Sequence, residues 1–347
     1  MREVLAKISP IFECPARQAF IIGVLSVPQE GRLKNLLLAV ILLLAAHARA
    51  RADAYFVTVA GLGGEPDYQT RFDGEAADLD KIFKASGAGV HVYTLSGADA
   101  TRAKLTATLQ QVAAAAKAQD DFVLVLIGHG AYDGVEYKFD LLGPDISAEQ
   151  LAEACNKIPA RRQLIVNTSS ASGGSVAALQ RPGRAVIAAT KSGTEKNATV
   201  FARYWVEALQ DPAADLDKNE TVTALEAFNY ADRKTTEFYT SQKRLATEHA
   251  TFEDLGKGDA VRTASTENGE GAMLRGFTLI RFGSSKTAAL DPAKQGLLAK
   301  KEDLERQIDI LEYQKAAIAP ADYRKQLTAL LVDLAKVQAQ LDGDAAK

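Results

Sequence analysis

The sequence predicts a doubly wound α/β fold, with a mainly parallel sheet flanked by helices and an antiparallel helical hairpin at the C-terminal end. Three observations carry this. Short runs of β type alternate with helical stretches from residue 53 to about 285, the pattern of a sheet wound with helices on both faces. One run, Asp121 to Ile127 (DFVLVLI), is apolar almost without interruption, as a strand buried on both faces has to be. Beyond Pro292 the composition shifts to Ala, Leu, Lys, Glu and Gln with apolar residues at heptad spacing. With 347 residues, 47% hydrophobic and 24% charged, the chain has material for one or two globular domains.

The N-terminal end reads as something other than fold. Gly31 to Asp53 (GRLKNLLLAVILLLAAHARARAD) places Arg32 and Lys34 before an apolar run and ends in alternating small residues, the three parts of a secretory signal peptide. Residues 31–52 are therefore expected to be a signal, residues 1–30 an upstream extension from a misassigned start codon, and the mature chain to begin near Asp53 in the periplasm or outside the cell. An uncleaved membrane anchor is the alternative. The first 52 residues carry seven Lys/Arg against three Asp/Glu, and losing that surplus of four positive charges takes the formal −3 of the chain to −7. An acidic folded part argues against nucleic acid and anionic membranes as partners. Cys14 would leave with the signal, so Cys155 is the one thiol of the mature chain; it lies on the apolar face of a helical pattern with Leu151 and Ile158, where a structural Cys is expected.

In order, Ala54 to Ala60 is a buried strand followed by a loop, GLGGEPDYQTRFDG, long enough to be functional. Its glycines lack the spacing of a dinucleotide fingerprint. Glu75 to Ser86 is an amphipathic helix with Ala76, Leu79, Ile82 and Phe83 inward, and Gly89 to Leu95 the second strand. Thr101 or Asp99 can cap the Ala-rich helix that follows. After the central strand come helix Ala148 to Ile158, strand Leu164 to Val166, a short helix Val176 to Gln180, strand Arg184 to Thr190 and helix Ala198 to Gln210; Phe277 to Phe282 adds a strand.

Asp215 to Glu226 (DLDKNETVTALE) has the oxygen-ligand spacing of a calcium loop, with Asp215, Asp217, Asn219 and Glu226 as candidate ligands. Glu220 stands where the turn-making glycine belongs, and the stretch also reads as the cap of the helix from Val222 to Thr240. In residues 291–343, Leu297, Leu304, Ile308, Leu311 and Ile318, then Tyr323, Leu327, Leu330, Leu334, Val337 and Leu341, outline two helices joined around Ala319 to Ala321. Such a hairpin packs on itself, on the domain or on a protein partner.

Two strands deliver chemistry to one sheet edge. The central strand runs into Gly128, His129 and Gly130; the strand from Gln163 runs into NTSSASGGS, residues 167–175. Parallel neighbours would set both tips side by side at the carboxyl edge, where open α/β sheets bind ligands. A histidine between glycines after a buried strand is placed to act as a base. The serine-rich stretch alone also reads as an ordinary polar strand-to-helix loop.

From Ala54 to Phe282 the chain resembles the caspase-like fold, in particular the legumain-type cysteine peptidases and their bacterial relatives. GHG at Gly128 to Gly130 is similar to that family's catalytic-histidine motif, and SSASGG at Ser169 to Gly174 to its nucleophile motif. The helix ATRAKLTATLQQVAAAA, the RAVIAAT strand and the Asp-rich segment before ALEAFNYA add to the resemblance. Matching on Ser172 and Gly173 puts Ser170 at the nucleophile position, with Ser169 beside it as a second candidate hydroxyl. The resemblance implies a peptide or protein ligand, an oxyanion site made by the amides of Gly130 and Ser170, and an arginine in the place of Arg71 that lines the pocket for the residue before the scissile bond; Ser172 and Gly173 would line the same cleft. The family uses a thiolate, and no cysteine stands in this loop. A serine hydroxyl has to surrender its proton to an oriented base as it attacks, so two readings stand: a pseudopeptidase that binds peptides, or a hydrolase with a His129 and Ser170 dyad acting after Asn or Asp. No organic cofactor is expected.

Overall fold

The computed structural model describes residues 52–87 and 89–343; the signal-like segment and the extension before it lie outside them. In chain order the elements are β1 (Ala54–Ala60), α1 (Pro66–Lys84), β2 (Val90–Leu95), α2 (Arg102–Ala115), β3 (Asp121–Ile127), β4 (Gly130–Tyr132), β5 (Tyr137–Phe139), β6 (Ile146–Ser147), α3 (Ala148–Asn156), β7 (Arg162–Asn167), α4 (Val176–Leu179), β8 (Arg184–Ala188), α5 (Phe201–Ala208), β9 (Thr221–Thr223), α6 (Ala224–Ser241), β10 (Thr251–Glu253), α7 (Ala272–Arg275), β11 (Thr278–Arg281), α8 (Gly283–Leu290), α9 (Gln295–Tyr313) and α10 (Pro320–Asp342).

Six strands form the main sheet in the order β10-β8-β7-β3-β1-β2. The pairs from β2 to β8 are parallel and only β10 runs antiparallel. Because side chains alternate across a strand, two cores result. Phe56, Val123, Val125, Leu164, Val166 and Ile187 face α1, α5 and α6; Val57, Val59, Leu124, Leu126, Ile165 and Val186 face α2 and α3. The doubly wound architecture expected from the alternation is the one found. Helix starts follow local chemistry: the Thr101 hydroxyl accepts from the Lys104 amide at 3.2 Å, and reciprocal capping boxes join Ser147 with Gln150 and Thr223 with Glu226.

Some expectations change. The stretch after β1 is a loop only from Gly61 to Glu65, because Pro66 opens α1 at its first turn, where its fixed φ and missing N–H cost nothing. Arg71 is therefore a helical residue. The strand at Phe277 to Phe282 exists as β11 but pairs antiparallel with β9 in a separate two-stranded sheet. The sixth strand of the main sheet is β10, three residues long. Helix α5 is shorter than the stretch from Ala198 to Gln210, and a third small sheet, β4-β5-β6, follows the central strand.

The C-terminal helices α9 and α10 pair with each other and belong to the same compact unit as the sheet. Leu298, Leu304 and Leu311 are buried, and Arg281 grips Glu302 through two hydrogen bonds of 2.6 and 2.9 Å. Arg275 reaches both Asp309 and Glu312, and the Tyr313 hydroxyl donates to the Glu270 carbonyl. The outer helix α10 keeps Tyr323, Leu327, Leu330 and Leu334 half-buried. No helix among the described residues is long and apolar enough to cross a membrane.

At the amino end of the sheet lies a buried charge with no carboxylate partner among the described residues. Arg184, 1% exposed, donates from Nε to Gln163 Oε1 (2.9 Å), from Nη1 to the Leu179 carbonyl (2.8 Å) and from Nη2 to Asn156 Oδ1 (2.9 Å). It ties β8, β7, α4 and the end of α3 together. Cys155, beside it in the same core, is fully buried and its thiol is pushed up to about 11 by that burial, so it is inert as a nucleophile. Arg184→Ala strands three acceptors in the interior and should lower the unfolding free energy by about 3 kcal/mol, measured by urea denaturation; a loss under about 1 kcal/mol would mean that water replaces the guanidinium.

Candidate active site

Strands β3 and β7 are adjacent and in register, Leu126 opposite Asn167. Their carboxyl ends release the two candidate segments side by side. The glycines around His129 are required by crowding: a Cβ on Gly128 would lie 3.2 Å from the Phe139 ring, and one on Gly130 would lie 2.6 Å from the Tyr137 hydroxyl and 2.9 Å from the Ser170 carbonyl oxygen. The imidazole of His129 is half-buried against an aromatic wall from α1, edge-on to Tyr68 (4.8 Å between ring centres) and Phe72 (5.2 Å). Its Nδ1 lies 3.5 Å from Ser170 Oγ, longer than a strong hydrogen bond and within the range in which unliganded sites tighten on binding. Burial, and secondarily the charge of Arg71, hold the imidazole below its ordinary pKa, while the backbone of Gly63 and the charge of Glu65 oppose them. At neutral pH His129 is therefore in the unprotonated form a general base requires.

The structure separates the hydroxyls of the serine cluster. Ser170 alone faces His129, and it is only 2% exposed. Ser169 turns inward, where its Oγ lies 2.6 Å from the Tyr137 hydroxyl and donates to Asn167 Oδ1 at 2.8 Å. Ser172 shares a hydroxyl contact with Thr190 (3.3 Å) and accepts from the Thr190 amide, while the Gly173 amide donates to Thr190 Oγ1. A Cβ on Gly173 would come within 2.3 Å of the Ser192 nitrogen. The hydrogen-bonding groups of Ser169, Ser172 and Gly173 are thus engaged in fastening the loop, because buried polar groups must be paired.

Ala171, next to Ser170, has the left-handed φ of 56° and donates its amide to the Glu195 carbonyl at 2.8 Å. The Glu195 carboxylate in turn lies 2.5 Å from His249 Nδ1 and accepts from the Lys191 and His249 amides. None of this clamp was visible in the sequence, where Glu195 and His249 are 54 positions apart with no shared motif.

Two amides remain for an oxyanion. Ladder bonds from Asp140 N to the His129 carbonyl and from Asp133 N to the Glu136 carbonyl mark the bonded positions of β4 as the odd-numbered ones. Bonded and non-bonded pairs alternate in antiparallel ladders, so the N–H of Gly130 points away from β5. The Ser170 amide has no acceptor among the described residues. What is missing is an acid behind the base: among the described residues no carboxylate hydrogen-bonds or pairs with His129, and the two histidine ion pairs belong to His91 and His249.

Arg71 stands behind the aromatic wall, its guanidinium 5.1 Å from the centres of both the Tyr68 and Phe72 rings. Its Nη2 donates to the Thr199 carbonyl at 3.2 Å, and its Nε lies 3.9 Å from Glu75 Oε1. Buried Arg71 Nε and Glu75 Oε2 have no hydrogen-bond partner. Burial pushes the Glu75 carboxyl up to about 7, with Arg71 pulling the other way. The side chain of Arg71 is 34% exposed.

At the calcium-like loop, carboxylate oxygens of Asp215, Asp217 and Glu226 lie within 4.8 Å of one another, hard oxygens of the kind a divalent cation takes. Asn219 lies against them, its amide donating to Asp215 and Asp217 and its Nδ2 to Asp217, but its Oδ1 already accepts from Thr221. Glu226 caps α6 and also accepts from the Leu216 amide, and Lys301 of α9 donates to the Asn219 carbonyl at 3.1 Å. Glu220 does adopt the left-handed turn, at φ 66°, its carboxylate held by Ser284 and Ser285.

No protein-family model matches the chain, and no curated relative matches it. Solved structures similar to it include the Drosophila initiator caspase Dronc, at 14% identity over 60% of this chain and 82% of that one with a TM-score of 0.39. Another is protein GSU0716 from Geobacter sulfurreducens, at 14% identity over 62% and 95% with a TM-score of 0.41. At these scores neither likeness assigns a role to any residue here.

His129 should titrate with a midpoint below the ordinary 6.5 in a proton NMR titration, and Arg71→Ala should raise it by removing a repelling charge. An identical midpoint in the two proteins would show that the Arg71 charge does not reach the imidazole.

Proposed function

We propose that this chain is an exported, caspase-fold homologue of the legumain-type cysteine peptidases whose cleft binds a peptide or protein segment without cleaving it. The observation that carries the reading is the long contact of 3.5 Å between Ser170 Oγ and His129 Nδ1. The resembled family places a thiolate there, partly ionised near neutrality. A serine hydroxyl needs a base that is itself held by a third group, and His129 has no carboxylate behind it among the described residues. The free amides of Gly130 and Ser170 support binding of a peptide carbonyl, to whose oxygen they donate without any bond being broken.

A fluorophosphonate probe should leave the wild type unlabelled. Labelling that disappears in Ser170→Ala would instead establish the second reading, a dyad hydrolase, which the placement of Ser170 alone of the serine cluster opposite His129 favours. Conversely, Ser170→Cys should gain rapid alkylation by iodoacetamide, at least tenfold faster than the buried Cys155 of the wild type, because a thiol beside an imidazole ionises. Equal rates would remove His129 as an activating base.

Arg71 is the specificity element of this reading. Its fork of donors suits an Asn or Asp side chain, and Arg71→Ala should weaken binding of such peptides by about 2 kcal/mol in calorimetry while a Leu peptide is unaffected; equal affinities throughout would leave Arg71 a structural residue. The half-buried seam of α10 is the surface for a helical protein partner. For export, N-terminal sequencing of protein from the native host should read from near Asp53, and an intact Met1 terminus in the cytosol would refute it.

A further inference from the structure

The two edges of the six-stranded sheet are treated differently by the chain. At one edge, β10 is three residues long and its outward face is closed: the amide of Phe252 donates to the Val261 carbonyl and the amide of Val261 to the Phe252 carbonyl, both at 2.8 Å. At the other edge, β2 is six residues long and reads VHVYTL, all residues at home in strands or tolerated there, with no Asp, Glu, Lys, Arg, Pro or Gly. Proteins ordinarily blunt a free edge with charge, proline, a bulge or a cover.

The register fixes which groups of β2 are free. Ala54 lies opposite Val90, and its amide donates to the Gly89 carbonyl. In a parallel ladder the N–H and C=O of one residue point the same way and successive residues alternate, so the odd-numbered residues of β2 face β1. Val90, Val92 and Thr94 therefore direct their N–H and C=O groups away from the sheet, and among the described residues none of these backbone groups has a partner. Helices α1 and α2 cover the two faces of β2 and leave this row uncovered.

We propose that β2 pairs antiparallel with β2 of a second copy of the chain about a two-fold axis through Val92, joining two sheets into one. The strand is self-complementary in that register. Val92 meets the Val92 of the partner copy, and Val90 meets its Thr94, all as hydrogen-bonded pairs, so every outward donor and acceptor on both strands is satisfied. On the opposite face His91 comes against Tyr93 of the partner copy in the close, non-bonded pairing that aromatic residues favour across strands; His91 is already stacked on Tyr55 at 4.5 Å. No residue of the strand sets like charges against each other. A one-residue slip would oppose side chains of different faces and leave outward groups unpaired, and a dyad at His91 or Tyr93 would leave Thr94 or Val90 without a partner inside the strand, so the dyad at Val92 is the register that pairs all three outward residues.

Sedimentation equilibrium of the full chain should give about twice the 37.1 kDa monomer mass. Val92→Pro removes an outward N–H at an edge position, where proline is compatible with a strand, and should weaken association roughly thirtyfold, two hydrogen bonds at the dyad being lost, with the circular dichroism of the fold retained. Register is read by cysteines. A doubly substituted His91→Cys, Tyr93→Cys chain should form a disulfide-linked dimer on mild oxidation, because non-bonded partners lie about 4.5 Å apart at Cα. Neither single variant should, since like residues would stand about 8 Å apart. A monomeric wild type, a dimer unaffected by Val92→Pro, or cross-linking by the single variants would each overturn the proposal.

Discussion

The in-register parallel pairing of β3 with β7 is the constraint from which the rest of the site follows. Leu126 sits opposite Asn167, and Thr168 prolongs the ladder by one step, its amide and its hydroxyl both donating to the Leu126 carbonyl at 2.9 and 2.7 Å. Only then do the two chains part, one toward His129 and the other toward Ser170. A slip by one residue would turn every side chain of β7 to the other face, exchanging Ile165 with its neighbours between two different cores and directing Ser169 where Ser170 now stands. The position of one hydroxyl relative to one imidazole is thus settled by core packing of the strands that precede them, Leu126 three positions before His129 and Ile165 five before Ser170.

Behind that hydroxyl lies a relay of polar contacts that explains why the loop is so rich in small residues. Tyr137, Ser169, Asn167, Ser175, Ser172 and Thr190 form a connected chain of hydrogen bonds, with Asn167 Nδ2 donating to Ser175 Oγ and Ser175 Oγ to the Ser172 carbonyl. In a low-dielectric interior such a network is rigid when every member is satisfied. The serines and glycines that drew notice as chemistry are mostly carpentry, and the one serine hydroxyl of the loop left outside the network is the one that faces His129.

What the sequence made legible was what rests on long apolar runs and on glycine punctuation. DFVLVLI, QLIVN and GHG announced a buried strand pair with a histidine at one tip, and the heptads beyond Pro292 announced the hairpin. What stayed hidden has physical reasons. β9 and β10 are three residues each, too short for any periodicity, and Thr251–Glu253 contains a buried acid that composition assigns to a surface. The start of α1 was concealed because Pro66 follows a glycine-rich stretch, and proline there signals a loop as readily as a first helical turn. Which serine of NTSSASGGS faces His129 depends on Ala171 holding a left-handed φ against a steric cost of about 1 kcal/mol, and no composition records that.

The order of strands in the main sheet bears on how the chain comes into being. β1 is the seed, β2 settles on one side of it, and β3, β7, β8 and β10 then follow one another outward on the other side in the same sequence in which they are synthesised. Each new strand finds its neighbour already made and waits for nothing that lies downstream. A polypeptide emerging amino end first, from a ribosome at about 5–20 residues per second or through a narrow conduit, can therefore build this sheet by accretion, and the edge it finishes last is the one the chain itself then seals with Val261.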